Sequence, residues 1–302
     1  MNFQTVLRKH LRFLLLGGLA AGTALTVKLQ QAAPAKEDFE VPMRLAGSMP
    51  AVEVMVNGKG PFVFGIDTGA QGMARVDSAL VEKLGLKTSG SVQGTDPSGR
   101  GPRAMATVRV ESLEIGGLRF SDIEAATRDY NLSPRMPKID GILTLNLLSE
   151  YLVTLDFRGK VVRAAKGELP KAPDVQTYRS EGGIPMVELT VGTATLDARI
   201  DTGNGIGAFV LPTSLAEKLS FIGEQTTVGR ARSVSGEMEI KSGQVRETIR
   251  FAGEEFLEPS VTYPALGEAA NIGSKALADF TVTFDPRNSR LRLTGDAAER
   301  SK

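Results

Sequence analysis

Cysteine is absent from the 302 residues, and histidine occurs once, at His10. The rest of the chain therefore has no thiol nucleophile, no imidazole base and no Cys/His zinc site. A Ser-His-Asp or Cys-His arrangement is excluded there for want of its base. Acid–base chemistry falls to carboxylates, Lys, Tyr or Arg. Without cysteine there are no disulfides, so cysteine usage places no constraint on the redox compartment.

Charge of one sign is also scarce. The formal net charge is +1, and four of the cations, Arg8, Lys9, Arg12 and Lys28, lie in residues 1–35, which hold no acid. The remainder has 32 basic against 35 acidic residues, a net of −3. Such a body has no strong electrostatic reason to bind nucleic acid or an anionic membrane. The apolar fraction of 41% and the charged fraction of 24% are those of a globular protein. The length suits two lobes, each with a core of its own.

A long apolar run occurs at the N-terminus, in the fifteen uncharged residues Phe13 to Val27. It follows a basic start and precedes Ala33-Pro34-Ala35, small residues at a cleavage point before Lys36. The run is short for a spanning helix, which wants about 20 apolar residues. Residues 1–35 are read as an export signal. An uncleaved anchor is the alternative, because Lys28 to Gln31 lengthens the gap before the cleavage point. No cysteine follows the run, which excludes a lipid-modified cysteine anchor. Either reading places the body outside the inner membrane, in a bacterial periplasm.

What is present, twice, is Ile-Asp-Thr-Gly. It occurs at Ile66-Asp67-Thr68-Gly69 and again at Ile200-Asp201-Thr202-Gly203, 134 residues later. The surroundings repeat as well. Pro50-Ala51-Val52-Glu53-Val54-Met55-Val56 matches Pro185-Met186-Val187-Glu188-Leu189-Thr190-Val191, and both alternate with the period of a half-buried strand. Asn57-Gly58 then marks a tight hairpin turn. Phe62, Phe64 and Ile66 alternate up to Asp67, and Leu196, Ala198 and Ile200 up to Asp201, so each Asp ends the returning strand of a hairpin. Asp77 to Leu84 matches Pro212 to Leu219, each read as a short helix, with Asp77 an N-cap and Pro212 in a first turn. Leu148 to Asp156 matches Leu277 to Asp285, closing each unit, followed by strands over Lys160 to Arg163 and Arg290 to Leu293. Phe39 to Leu45 is read as a strand. The spacing predicts a signal or anchor over 1–35, a first lobe over 36–167, a linker over 168–177, a second lobe over 178–295 and a tail over 296–302. The fold expected is mainly β, with two similar lobes.

An apolar-Asp-Thr-Gly at a strand end, twice per chain, resembles the aspartic peptidases, most nearly the bacterial retropepsin-like and pepsin-like proteins. The resemblance covers nearly all of the body. It implies two β-rich lobes with a cleft between them, and Asp67 and Asp201 as a catalytic pair facing each other across it. It implies that Thr68 and Thr202 bond to the backbone of the opposite loop. Gly69 and Gly203 would let backbone N–H groups come close to the carboxylates, where a Cβ would crowd them. A polypeptide would be the substrate, one chain would suffice for the site, and no cofactor or metal would be needed. In this family a Gly follows two apolar residues late in each lobe. Ile272-Gly273 fits, whereas the first lobe has Thr144 after Ile142-Leu143, with Gly141 displaced by three. The residue after the triplet is Ala70 in one copy and Asn204 in the other, where pepsin-like members carry a hydroxyl that supports the outer carboxylate oxygen. A flap tyrosine of the pepsin type is not visible; Gly94 to Gly101 is either the first-lobe flap or an ordinary hairpin loop.

Two carboxylates about 3 Å apart cannot both ionise easily and share a proton, and aspartic proteases are the established example. Such a pair titrates as a unit and implies a bell-shaped pH profile. Ala70 removes one bond to the charged form, which points to activity at mildly acid to near-neutral pH. Three other readings stand beside this one. A catalytically silent peptide-binding or regulatory module would fit Thr144 and Asn204. Phosphoryl transfer through an aspartate usually wants Mg²⁺ and a parallel α/β frame. A paired-carboxylate glycosidase leaves the duplicated Thr-Gly unexplained.

Overall fold

Alternation sets the hairpin that opens each lobe. In the computed structural model, which describes residues 37–95, 102–132, 137–233, 236–264 and 269–295, Met49–Val56 pairs antiparallel with Lys59–Ile66. Val52 faces Phe64 and Val54 faces Phe62, all on the buried side, while Glu53 points to solvent. The turn between them has Asn57 at φ 50° and Gly58 at φ 71°, the doubly positive pair that a two-residue hairpin wants. Ile184–Val191 and Ala194–Asp201 repeat this pairing in the second lobe. The N-terminal segment read as a signal, the tail, and residues 96–101 of the expected flap lie outside the described residues.

Each hairpin then lays its returning strand against a short strand that arrives late in the lobe. Lys59–Ile66 runs parallel to Gly141–Leu143, with Ile66 opposite Leu143. Ala194–Asp201 runs parallel to Ala270–Gly273, with Ile200 opposite Ile272 and Asp201 opposite Gly273. On its far side the late strand pairs antiparallel with the chain that has just left the Asp loop, Ala74–Asp77 in one lobe and Phe209–Val210 in the other. Each Asp loop is thus held at both ends by one sheet.

The helices are small. Ser78–Leu84 is capped by Asp77, whose carboxylate accepts from Ala79 N–H at 3.0 Å, and ends at Gly85 in the left-handed region. The matching helix expected over Pro212 to Leu219 is only Thr213–Ala216. Pro212 stands at the cap position and has no side-chain acceptor for the free N–H groups there. Phe39 to Leu45, expected as one strand, is two, Phe39–Pro42 and Arg44–Ala46, which belong to different sheets. Met43 is buried at the crossing.

The lobes share a third sheet. Leu152–Asp156 of the first lobe pairs antiparallel with Phe280–Asp285 of the second, with Val153 opposite Phe284 and Leu155 opposite Val282, all fully buried. Thr154 and Thr283 join hydroxyls at 3.0 Å between them. Val161–Ala165 and Phe39–Pro42 extend the sheet on one side, Arg290–Gly295 and Val175–Thr177 on the other. The segment read as a linker therefore ends in a strand of this sheet. The described residues form one compact unit with a core running through both lobes. Truncating Phe284 to Ala empties a buried site at the junction and is expected to cost about 3–5 kcal/mol. In urea, fluorescence and far-UV probes from both lobes should still move in one transition, because the cavity lies in packing that the lobes share.

Candidate active site

The two Asp-Thr-Gly loops meet through their threonines. Thr68 N–H donates to Thr202 Oγ1 and Thr202 N–H to Thr68 Oγ1, both at 3.1 Å. Thr68 Oγ1 donates to the carbonyl of Ile200 at 2.7 Å, and Thr202 Oγ1 to that of Ile66 at 2.6 Å. Each hydroxyl is therefore acceptor and donor at once, both times to the opposite lobe. Both threonines are fully buried, where a hydroxyl must find partners. Ser274 Oγ adds a bond to the carbonyl of Thr202 at 2.6 Å.

The glycines are required by the opposite lobe. A Cβ on Gly69 would fall on the carboxyl carbon of Asp201, and one on Gly203 would lie 2.5 Å from that of Asp67. The resemblance implies glycines here because a Cβ would crowd the carboxylates as backbone N–H groups approach them. Gly69 N–H does donate to Asp67 Oδ1, at 3.0 Å, but the steric demand comes from the other loop's carboxyl. Gly69 and Gly203 thus bring the two acids face to face.

The acids do not sit in equal surroundings. Ala70, three residues after Asp67, belongs to an apolar patch with Ile139 and Ile142, edged by Tyr130 and Met49. Burial, and then the negative charge and side-chain bond of Asp201, push the Asp67 carboxyl up to about 7, against the opposing pull of Arg75 and Gly69 N–H. Burial likewise pushes the Tyr130 phenol up to about 12, with Arg75 beside it pulling the other way. Asp201 instead accepts from Asn271 Nδ2 at 2.7 Å. Asn271 Oδ1 accepts from Asn204 Nδ2 at 2.7 Å, and Asn204 Oδ1 from Ile206 N–H at 2.9 Å. Among the described residues no group of three or more His, Cys, Asp or Glu side chains is placed to hold a metal ion.

The departure at Thr144 has a local answer. In the second lobe Gly273 is needed because a Cβ there would strike the carbonyl of Gly207. Thr144 occupies the matching place, one residue past the Ile66–Leu143 pair, and is fully buried. Its hydroxyl reaches the carbonyls of Gly72 at 2.5 Å and Met73 at 3.1 Å, so the first loop stands further off and is tied by a side chain. The hairpin tips also cross over. Asn146 Nδ2 donates to the Gly182 carbonyl at 3.1 Å, and Gly182 lies against Gln71 of the first loop. Ser48 in turn faces Gly205 of the second loop.

All six residues singled out in the sequence, Asp67, Thr68, Gly69, Asp201, Thr202 and Gly203, come together at this junction. Arg75, Tyr130, Asn271 and Ser274 were not singled out. Asn271 had a signal, since it is the polar residue of Ala270-Asn271-Ile272-Gly273 where the first lobe has the apolar Ile142. Arg75 and Tyr130 had none, because only the fold brings them beside Asp67.

Comparison with known proteins agrees for part of the chain. The family described as aspartyl protease matches residues 52–147, from the first hairpin through the Asp67 loop to the Gly141–Leu143 strand. Over those residues the chain is similar to aspartyl proteases; the second Asp-Thr-Gly lies beyond the match. No curated protein matches the chain.

Thr68→Val keeps the shape but strands the Thr202 N–H and the Ile200 carbonyl, so a loss of about 1–3 kcal/mol for each orphaned group is expected in urea unfolding. Thr68→Val and Thr202→Val remove different bonds of one network, so the double variant should depart from the sum of the two singles. A raised carboxyl binds its proton more tightly in the folded state, so stability falls as pH rises from about 4 to 7. Asp67→Asn should remove that fall, a relative gain of up to about 4 kcal/mol at pH 8.

Proposed function

We propose that the chain is an aspartic endopeptidase that hydrolyses peptide bonds of extended polypeptide segments with a water held between Asp67 and Asp201. The observation that carries this reading is the reciprocal placement of two carboxyls, each set against the other loop's glycine in a frame of four crossed threonine bonds. The ionised carboxylate takes a proton from the water, and the water oxygen bonds to the peptide carbonyl carbon. The protonated carboxyl gives its proton to the carbonyl oxygen, leaving a gem-diol. The first carboxyl then passes its proton to the nitrogen as the C–N bond breaks, and a gem-diol hydroxyl returns a proton to the second. The pair ends as it began.

The two loops that carry the acids also expose Met73 and Ile206, apolar side chains that an extended segment laid over the dyad would meet. Strand-like binding reads the substrate backbone and leaves pockets for its side chains. A silent binding module would have no use for an intact pair, since two unneutralised carboxyls at one place only weaken the fold. Export by residues 1–35 belongs to the same proposal and places the substrate outside the inner membrane.

Purified protein offered a peptide library from pH 3 to 8 should cleave best between mildly acid and near-neutral pH. Asp67→Asn and Asp201→Asn, both still folded, should each lower kcat/KM by at least 10³-fold, roughly the loss of an essential acid or base. Cleavage surviving both substitutions would overturn the dyad, and no cleavage by the unmodified chain at any pH would favour the silent module.

A further inference from the structure

Three amides and one carboxylate make a directed chain beside Asp201. Ile206 N–H can only donate, so the Asn204 atom facing it at 2.9 Å is its oxygen. That turns Asn204 Nδ2 toward Asn271, whose facing atom, 2.7 Å away, must then be Oδ1. Asn271 Nδ2 is left pointing at Asp201 Oδ2, at 2.7 Å. Neither amide can flip without breaking the chain, so its polarity is fixed by a backbone group. A bond of this kind is roughly twice as strong to a carboxylate as to a neutral acceptor.

The first lobe has no counterpart. The place of Asn271, between the paired strands, is taken by Ile142, and the place of Asn204 by Ala70; both are buried and neither has a donor. Arg75 and Tyr130 are charged or titratable groups that act on Asp67. The two lobes repeat a frame but not an environment.

We propose that Asn271, oriented by Asn204, is a positioning residue that donates to the Asp201 carboxylate, making Asp201 the base that activates water and Asp67 the acid that protonates the carbonyl oxygen. The assignment rests on the peptidase reading of the pair. Asn271 itself takes no proton. Its amide holds one oxygen of Asp201 and leaves the other free to receive the proton of the water. Asp67 carries the proton that goes to the substrate.

The test uses protein labelled with ¹³C at the Asp carboxyls, titrated by NMR from pH 3 to 9, with peptide cleavage followed over the same range. The variants are Asn271→Ile, which copies the first lobe, and Asn204→Ala, which touches no carboxylate. In Asn271→Ile the lower titration step of the pair and the acid limb of kcat should both move up by about one pH unit, with KM little changed. The alkaline limb, set by Asp67, should move less. Asn204→Ala should shift the acid limb in the same direction by a smaller amount. A lower step and acid limb that stay in place in both variants, whatever happens to the rate, would overturn the assignment. If Asn271→Ile fails to fold, Asn204→Ala decides alone. If the unmodified protein cleaves nothing, the carboxyl titration still decides the relay, so the two readings fail separately.

Discussion

Everything at this site hangs on a hydroxyl that accepts and donates in the same place. Thr68 and Thr202 each take an N–H from the opposite loop and give a proton to the opposite strand's carbonyl. Four bonds are buried where water cannot replace them, so neither loop can move without leaving groups of the other unpaired. Valine has the shape but not the polarity, and serine has the polarity without the methyl group. The glycines follow from the same constraint. With the loops drawn this close, the space where a Cβ would stand is already taken by the partner's carboxyl.

The frame under the loops is built to keep them there. Each Asp sits where a returning strand ends, and a late strand grips the loop from both sides. The sheet formed by the closing strands of both lobes joins the two grips through a buried seam of Val153, Leu155, Val282 and Phe284. On the proposed peptidase reading, rigidity of this sort keeps the two acids at fixed separation before a substrate arrives, which spares reorganisation during the reaction. On that near-symmetric frame the side chains differ. Where one lobe has Ala70 and Ile142, the other has Asn204 and Asn271, and Asn271 donates to Asp201. Carboxyls in unlike surroundings generally part in their proton affinities, and the proposed division of this pair into an acid and a base rests on that rule.

Much of this was legible in the sequence because it depends on local pattern. Alternation marked the hairpins and put Asp67 and Asp201 at strand ends, while the crossed bonds were only what the resemblance to aspartic peptidases implied. Asp77 marked its helix because a cap is a short-range interaction; Pro212 promised a matching helix and yielded one turn. Other features depend on contacts distant in sequence. That Thr144 replaces a glycine by hydrogen-bonding the loop that would have filled its space is visible only once that loop is placed. Arg75 and Tyr130 come to Asp67 through strand pairing, and nothing in their neighbours announces it. Asn271 lies between these cases, since comparing the two late strands residue by residue would have exposed it.

The most direct measurement of whether the two loops form one unit is a double-mutant cycle on folding stability, with Asp67→Asn, Asp201→Asn and both together, followed by urea unfolding from pH 4 to 8. Two carboxyls sharing one proton should show little coupling where that proton is bound and a coupling that grows as pH rises through about 7, where both are forced to carry charge. Substitutions that add independently at every pH would mean that Asp67 and Asp201 do not sense each other, and the single shared site would be contradicted.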